Sequence, residues 1–143
     1  MTETVRVFVY GTLKRNEPNY HIISDETRGK HKFIDTATTI DKYPLFVATA
    51  DNIPFIVNDR GQGFQIRGEL YDVDKQKLES LDECEGYPGW YNRIIIDVVD
   101  SKGEKHSAYI YLLDEYDSEM EKTRTKFIDN YTDGVEGRIY REE

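Results

Sequence analysis

The feature that most constrains this chain is its punctuation. Short β-branched and aromatic runs follow one another, and Gly, Pro, Asn or Asp clusters interrupt them. Val5 to Tyr10 reads as a mostly buried strand ended by Gly11-Thr12-Leu13, with a polar loop over Lys14 to Asn19 and a short helix around Tyr20 to Ser24. Phe33 to Ile40 has strand composition, Tyr43-Pro44 breaks it, and Leu45 to Ala48 follows as another short run. Ile53 to Val57 contains Pro54, which suits an edge strand or a strand entrance. After the turn cluster Asn58 to Gly63, the segment Phe64 to Asp72 alternates, with Phe64, Ile66, Gly68 and Leu70 on one face and Gln65, Arg67 and Glu69 on the other. Asp74 is placed to cap a helix from Lys75 that carries Leu78 and Leu81 and stops near Gly86, Pro88 lying just beyond. Tyr91 to Val99 and His106 to Leu113 read as a hairpin about Ser101-Lys102-Gly103. Asp117 or Ser118 caps a further helix through Met120, Thr123, Phe127 and Ile128, and Asp133 to Glu143 reads as an extended or loosely docked tail. Many strands and few helices in irregular order predict an α+β fold with a mostly antiparallel sheet or small barrel.

Length allows one core, so residues 1–143 are expected to form a single domain. With 19 Lys plus Arg against 28 Asp plus Glu, the net charge is −9, and no basic stripe interrupts it. Such a surface repels phosphate backbones and argues against nucleic acid. Eleven Tyr, six Phe and one Trp supply enough large rings for a packed core despite a polar composition. A lone cysteine excludes an intramolecular disulfide and any multi-cysteine metal centre. No apolar run is long enough to span a membrane, and Met1 to Arg6 lacks the layout of a signal peptide. These readings predict a cytoplasmic protein of a reducing compartment.

Most chemistry-bearing residues carry little signal. His21, His31 and His106 have no metal-ligand spacing and read as surface or locally hydrogen-bonding groups, so no metal is expected. There is no Gly-x-Ser-x-Gly elbow, the acidic pairs Asp72/Asp74 and Asp97/Asp100 lack the glycine and terminal Glu of a calcium loop, and Gly61 and Gly63 precede no helix. Cys84 sits between Glu83 and Glu85, which would suppress its thiolate. Glu85 is more informative. At about 100° per residue, seven steps from Leu78 bring it within about 20° of Leu78, on the stripe that should face the core. A carboxylate there is costly unless paired, hydrogen-bonded or protonated, and burial would lift its pKa toward the range of a shared acid and base. A helix that frays early would instead expose Glu85, and Asp82, about 40° from Leu78, competes for the role. At the other candidate, Tyr10-Gly11-Thr12-Leu13, a glycine at a strand end lets a ligand approach backbone N–H groups that together suit a carboxylate.

Taken together, these two elements resemble the gamma-glutamyl cyclotransferase-like superfamily. Val7-Phe8-Val9-Tyr10-Gly11-Thr12-Leu13-Lys14-Arg15 is similar to its opening signature, and Pro18-Asn19 with His21 continues it. Tyr43-Pro44-Leu45, Asn52-Ile53-Pro54 and Gly68 to Asp74 fit the middle. Leu81 to Arg93 resembles the Leu-Asp-x-x-Glu…Tyr-x-Arg block. The tail, Asn130 to Gly134 with Gly137 and Tyr140, resembles one branch, the gamma-glutamylamine cyclotransferases with their troponin C-akin relatives. Phe55 departs from the pattern, standing where relatives often have Trp, and Gly86-Tyr87 differ between branches.

The resemblance implies a small barrel with flanking helices and a cavity at its mouth. It puts the substrate loop on Tyr10, Gly11, Thr12 and Leu13 and the catalytic glutamate on Glu85, leaving Asp82 a helper or structural role. The implied reaction is intramolecular, the α-amine of an L-γ-glutamyl group attacking its own side-chain carbonyl to give 5-oxoproline and a free amine. It needs no cofactor, and the expected protein is a monomer whose partner is a small γ-glutamyl molecule. The leading substrate is γ-glutamyl-ε-lysine, with γ-glutamyl α-amino acids or a non-catalytic binding module as alternatives. Tyr43, Phe55, Tyr87 and Trp90 are candidates to line the leaving-group pocket. A backbone N–H or a tyrosine hydroxyl is left to steady the oxyanion.

Overall fold

The computed structural model describes residues 3–141, so residues 1, 2, 142 and 143 of the expected domain and tail lie outside the described residues. In chain order the elements are β1 (Thr4–Val9), α1 (Tyr20–Ser24), β2 (His31–Tyr43), β3 (Leu45–Ala48), β4 (Ile53–Ile56), β5 (Phe64–Asp74), α2 (Lys75–Glu85), β6 (Asn92–Asp100), β7 (Lys105–Leu112) and α3 (Ser118–Thr123), with single 3-10 turns at Glu26–Arg28 and Val135–Gly137. Five strands close a barrel in the order β1-β5-β2-β6-β7. Neighbours pair antiparallel except at the seam, where Val7 of β1 meets Tyr109 of β7 in parallel. The α+β barrel with flanking helices expected from the sequence is present.

Strand alternation sorts the apolar residues into two cores. Phe8, Ala37, Ile66, Leu70, Ile96, Val98, Ala108 and Ile110, drawn from all five strands, fill the barrel. Their neighbours Val7, Val9, Tyr71, Val73 and Tyr111 form a second core with Ile23 of α1, Leu81 of α2 and Met120 of α3. Gly68 lets β5 press against β1, since a Cβ there would lie 2.3 Å from the Val9 carbonyl oxygen. β2 runs well beyond the expected Phe33–Ile40 and shifts register between Phe33 and Asp35 and between Thr38 and Lys42, breaks of the kind that bend a strand around a small barrel. β3 and β4 pair only with each other as named strands, and Pro54 sits in β4 opposite Val47, in keeping with its edge position.

Several expectations need correction. Glu69, on the polar face of β5 with Gln65 and Arg67, is buried, because the chain after β1 folds over it. Its Oε1 accepts hydrogen bonds from Arg15 N–H and the Tyr71 hydroxyl, both at 2.9 Å. Helix α3 stops at Thr123 rather than continuing through Phe127 and Ile128. From Arg124 the backbone is extended, and Thr125 and Ile128 donate to the carbonyls of Val47 and Leu45. Pairing along β3 outcompetes another turn of helix there.

The inward face of α2 is also rotated from the leucine stripe. It buries Lys77, Ser80 and Leu81, while Leu78 is half-buried. Asp74 caps the helix as expected, accepting from Lys77 N–H at 2.9 Å. The fully buried Lys77 amine donates to the carbonyls of Ile22 at 3.1 Å and Asp25 at 2.6 Å, so it ties α1 and the turn after it to α2. Burial pushes this amine below the usual lysine range. Lys77, Leu81 and Glu85 are spaced four residues apart, which places Glu85 on the same row as the two buried side chains.

The stretch from Asp133 onward is hydrogen-bonded to the body. Arg138 donates to Asn52 Oδ1 at 2.9 Å, to the carbonyls of Val47 and Thr49 at 3.1 Å each, and to the Thr123 carbonyl. Asp133 N–H reaches Glu17, and Arg141 N–H reaches the Asp51 carbonyl. Among the described residues no helix is long and apolar enough to cross a membrane.

Candidate active site

A cavity of about 650 Å³ opens where four parts of the chain meet: the turn after β1, the β3–β4 connection, the end of α2, and the segment leading into β6. The start of α3 and Tyr140 complete its wall. Tyr10, Gly11, Thr12, Leu13 and Glu85, picked out far apart in sequence, all line it.

The turn after β1 is held firmly. The Tyr10 hydroxyl donates to the Tyr111 carbonyl at 2.8 Å. Asn19 pins Thr12 twice, its N–H on the Thr12 carbonyl at 2.8 Å and its Nδ2 on the Thr12 hydroxyl at 3.0 Å. The same Nδ2 donates to the Tyr140 hydroxyl at 3.1 Å, so the tail is fastened to the loop. A Cβ on Gly11 would lie 2.9 Å from Pro54 Cγ, which explains glycine at that position. Among the described residues no protein acceptor engages the N–H groups of Gly11, Thr12 or Leu13. The sequence pattern flagged Asn19 and Tyr140 without these contacts and passed over Arg138, because each acts through bonds to residues distant in the chain.

Glu85 is the last residue of α2, and Gly86 in the left-handed conformation ends the helix behind it. The helix therefore does not fray before Glu85. Part of the residue faces the cavity, yet its carboxyl has no hydrogen-bond partner among the described residues, and the protein packed around it pushes its pKa up to about 7. Cys84 is exposed and lines the same cavity. Burial of its thiol and then the neighbouring Glu85 push its pKa up to about 11, so it stays a thiol.

Asp82, one turn earlier, is fully engaged. Both of its oxygens accept from Arg93 Nη1 at 2.6 Å, and Oδ1 also accepts from the Tyr111 hydroxyl at 2.6 Å. The Arg93 guanidinium lies against the rings of Tyr87 and Tyr109, at 4.6 and 4.7 Å from their centroids. Asp82 thus serves the framework.

Of the ring residues expected in the leaving-group pocket, Phe55 and Trp90 line the cavity, while Tyr43 and Tyr87 do not. Tyr43 is buried with the barrel core, and Tyr87 is held under Arg93. The sequence reading missed Tyr91, whose ring stacks on Phe55 at 6.2 Å between centroids and which borders the cavity. Its place in the Tyr-x-Arg block was the available signal.

Among the described residues no Lys, Arg or His side chain lines the cavity, whereas Asp51, Asp117 and Glu119 stand around it in addition to Glu85. A bound carboxylate would therefore be held by neutral donors, the backbone N–H groups of the turn among them. The histidines lie elsewhere: His31 meets Glu26 at 3.1 Å, and His106 bridges Asp100 at 2.7 Å and Arg6 at 2.8 Å. Asp100, Glu104 and His106 bring potential ligand atoms within 4.8 Å of one another on the β6–β7 hairpin, away from the cavity wall.

Comparison with known proteins agrees with this architecture. Residues 7–131 match the family described as gamma-glutamyl cyclotransferase, AIG2-like. The chain is 41% identical over 115 residues to gamma-glutamylaminecyclotransferase A of Danio rerio, a match covering 79% of this chain and 71% of that protein. It is 45% identical over 107 residues to gamma-glutamylaminecyclotransferase C of the same organism, covering 75% and 70%. An AIG2-like protein from Mus musculus superposes with a TM-score of 0.92 at 30% identity, over 99% of this chain and 97% of the other.

Proposed function

The chain belongs to the gamma-glutamyl cyclotransferase, AIG2-like family, and on that premise we propose that it is a gamma-glutamylamine cyclotransferase with Glu85 as proton shuttle and the Tyr10–Leu13 turn as substrate cradle. The observation that carries this reading is one shared cavity in which an unpaired carboxyl with a pKa of about 7 faces a turn rich in unengaged N–H groups.

The substrate α-carboxylate accepts hydrogen bonds from the N–H groups of Gly11 to Leu13, which fixes the α-amine beside the γ-carbonyl. Ionised Glu85 takes a proton from the α-ammonium. The amine nitrogen then bonds to the γ-carbon, and the carbonyl π pair moves onto oxygen. Glu85 gives that proton to the departing nitrogen as the oxygen lone pair re-forms the carbonyl and the original C–N bond breaks. The ring nitrogen then loses its extra proton through Glu85 to the released amine, leaving 5-oxoproline and the amine as its ammonium. Tethered attack supplies about 7–11 kcal/mol when well oriented, and the shuttle adds about 10²–10⁴-fold.

The charge around the cavity favours γ-glutamyl-ε-lysine over γ-glutamyl α-amino acids. An α-dipeptide carries a carboxylate next to the leaving nitrogen and would hold it among Asp51, Asp117, Glu119 and Glu85 with no side-chain cation to offset it. A long aliphatic arm moves that carboxylate away. The assignment includes a monomer acting in the cytoplasm, and the free thiol of Cys84 is in keeping with a reducing compartment.

The test is 5-oxoproline release from γ-glutamyl-ε-lysine and from γ-glutamyl-alanine, by the native chain and by Glu85→Gln. Isopeptide turnover that collapses in the variant supports the assignment. Turnover of γ-glutamyl-alanine alone keeps the chemistry and changes the substrate, and silence on both from a folded protein leaves a binding module.

A further inference from the structure

Resting on the cyclotransferase reading, we propose that the Tyr91 hydroxyl is the donor that holds the γ-carbonyl oxygen as it becomes an oxyanion. Among the described residues four tyrosines line the cavity, Tyr10, Tyr91, Tyr111 and Tyr140, and two of them have committed their hydroxyl protons. Tyr10 donates to the Tyr111 carbonyl and Tyr111 donates to Asp82, while Tyr140 accepts from the Asn19 Nδ2 that also holds Thr12, so its hydroxyl stands with the Tyr10–Leu13 turn. Among the described residues the Tyr91 hydroxyl has no protein partner. Tyr91 lines the cavity, and its hydroxyl is left for a group seated there.

Its surroundings fit the role. Tyr91 is 8% exposed and its ring is stacked on the buried Phe55, so the hydroxyl is held by packing and not by a hydrogen bond that substrate would have to break. Glu85, Cys84, Tyr10 and Tyr140 are its polar neighbours. Burial, then the nearby Tyr10 and Glu85, raise its pKa well above the ordinary phenol value, so it stays protonated throughout the working range and acts as a hydrogen-bond donor. Glu85 and Tyr91 do not bond to each other, although both border one space. A γ-carbonyl seated between them offers its leaving nitrogen to the carboxyl and its oxygen to the phenol. When the α-amine adds, the new C–N bond places negative charge on that oxygen. The Tyr91 hydrogen bond strengthens at that moment and relaxes as the carbonyl reforms, while Tyr91 keeps its proton throughout. The backbone donors at Gly11 to Leu13 remain with the α-carboxylate, so the two anionic sites of the reacting group are served by separate parts of the wall.

The experiment compares native protein with Tyr91→Phe on γ-glutamyl-ε-lysine, following 5-oxoproline release across pH. Loss of one such donor lowers kcat by about 10²–10³-fold. KM is expected to stay near native, and the rise in kcat/KM through about pH 7 that reports Glu85 is expected to keep its midpoint. A lower plateau with an unmoved midpoint distinguishes a lost oxyanion donor from a displaced Glu85. A variant whose kcat stays within a few-fold of native, or whose loss is confined to KM, overturns the assignment while leaving the cyclotransferase reading intact. Native protein that turns over no γ-glutamyl amide overturns that reading instead. The Phe variant loses no protein hydrogen bond and is expected to melt close to native. If it does not fold, 3-fluorotyrosine at position 91 replaces it. A more acidic donor then raises kcat, and an unchanged kcat overturns the proposal.

Discussion

Asp82 and Glu85 stand one helical turn apart on α2, and the protein treats them in opposite ways. Around Asp82 every oxygen is answered by Arg93 or Tyr111, and the guanidinium is flanked by two tyrosine rings. Around Glu85 the walls are close but no partner is supplied, and the neighbouring Tyr91 hydroxyl and Gly11–Leu13 N–H groups are equally unengaged among the described residues. Unpaired polar groups destabilise a fold, so their concentration on one wall supports the proposed substrate site there. The Asp82 corner is what allows the Glu85 corner to remain unsatisfied, since it fixes the helix from which both project.

The contrast can be broken most severely at Glu85. Glu85→Gln is expected to lower kcat by about 10²–10⁴-fold while folding fully, read by 5-oxoproline release and circular dichroism. The same carboxyl predicts an unusual stability profile. Its folded pKa, about 7, exceeds its ordinary 4.5, so the folded state holds the proton more tightly than the unfolded state between those values. The stabilisation is complete below about pH 4.5 and is lost as pH rises through about 7. Glu85→Gln removes that decline and is expected to be more stable than native at pH 8 by on the order of 2–3 kcal/mol, measured by urea unfolding at pH 5 and pH 8. A native profile parallel to that of the variant would contradict the burial of Glu85.

Asp82→Asn tests the other corner. It leaves Arg93 without its anion and is expected to cost about 2–3 kcal/mol in urea unfolding, lowering activity chiefly by destabilising the fold. Severe loss of kcat in a well-folded Asp82→Asn protein would mean that the two corners share the chemistry. Gly11→Ala is milder, pressing a methyl on Pro54, with an expected loss of about 1–2 kcal/mol and a rise in KM larger than the fall in kcat. Asp51→Asn is the smallest change. It is expected to improve kcat/KM on γ-glutamyl-alanine about two- to threefold, consistent with about 0.5 kcal/mol for a solvated charge, with little effect on the isopeptide.

Local signals were legible in the sequence and long-range ones were not. Asp74 as cap, Gly86 as stop and the short helix at Tyr20–Ser24 are decided within a few residues, and all three stand in the structure. Glu85 could be read because helical spacing set a carboxylate against an apolar row. Where distant partners decide, the reading failed or fell silent. Lys77 looks like a surface residue until α1 brings two carbonyls to it, Glu69 until Arg15 and Tyr71 close over it, and α3 looks longer than it is until β3 captures the chain after Thr123. Tyr91 belongs to the same group, since nothing nearby in the sequence says that its hydroxyl would be left without a partner while those of Tyr10, Tyr111 and Tyr140 were engaged.

The barrel has all its strands once Leu112 has been made, yet Arg138 and Tyr140, which fasten the β3–β4 connection and the turn after β1, come later. During synthesis, the chain can therefore reach a closed barrel before it owns a competent cavity. On the proposed site, catalytic competence follows barrel closure and waits on a few side chains, so a cut ahead of Arg138 is expected to leave a folded but silent protein.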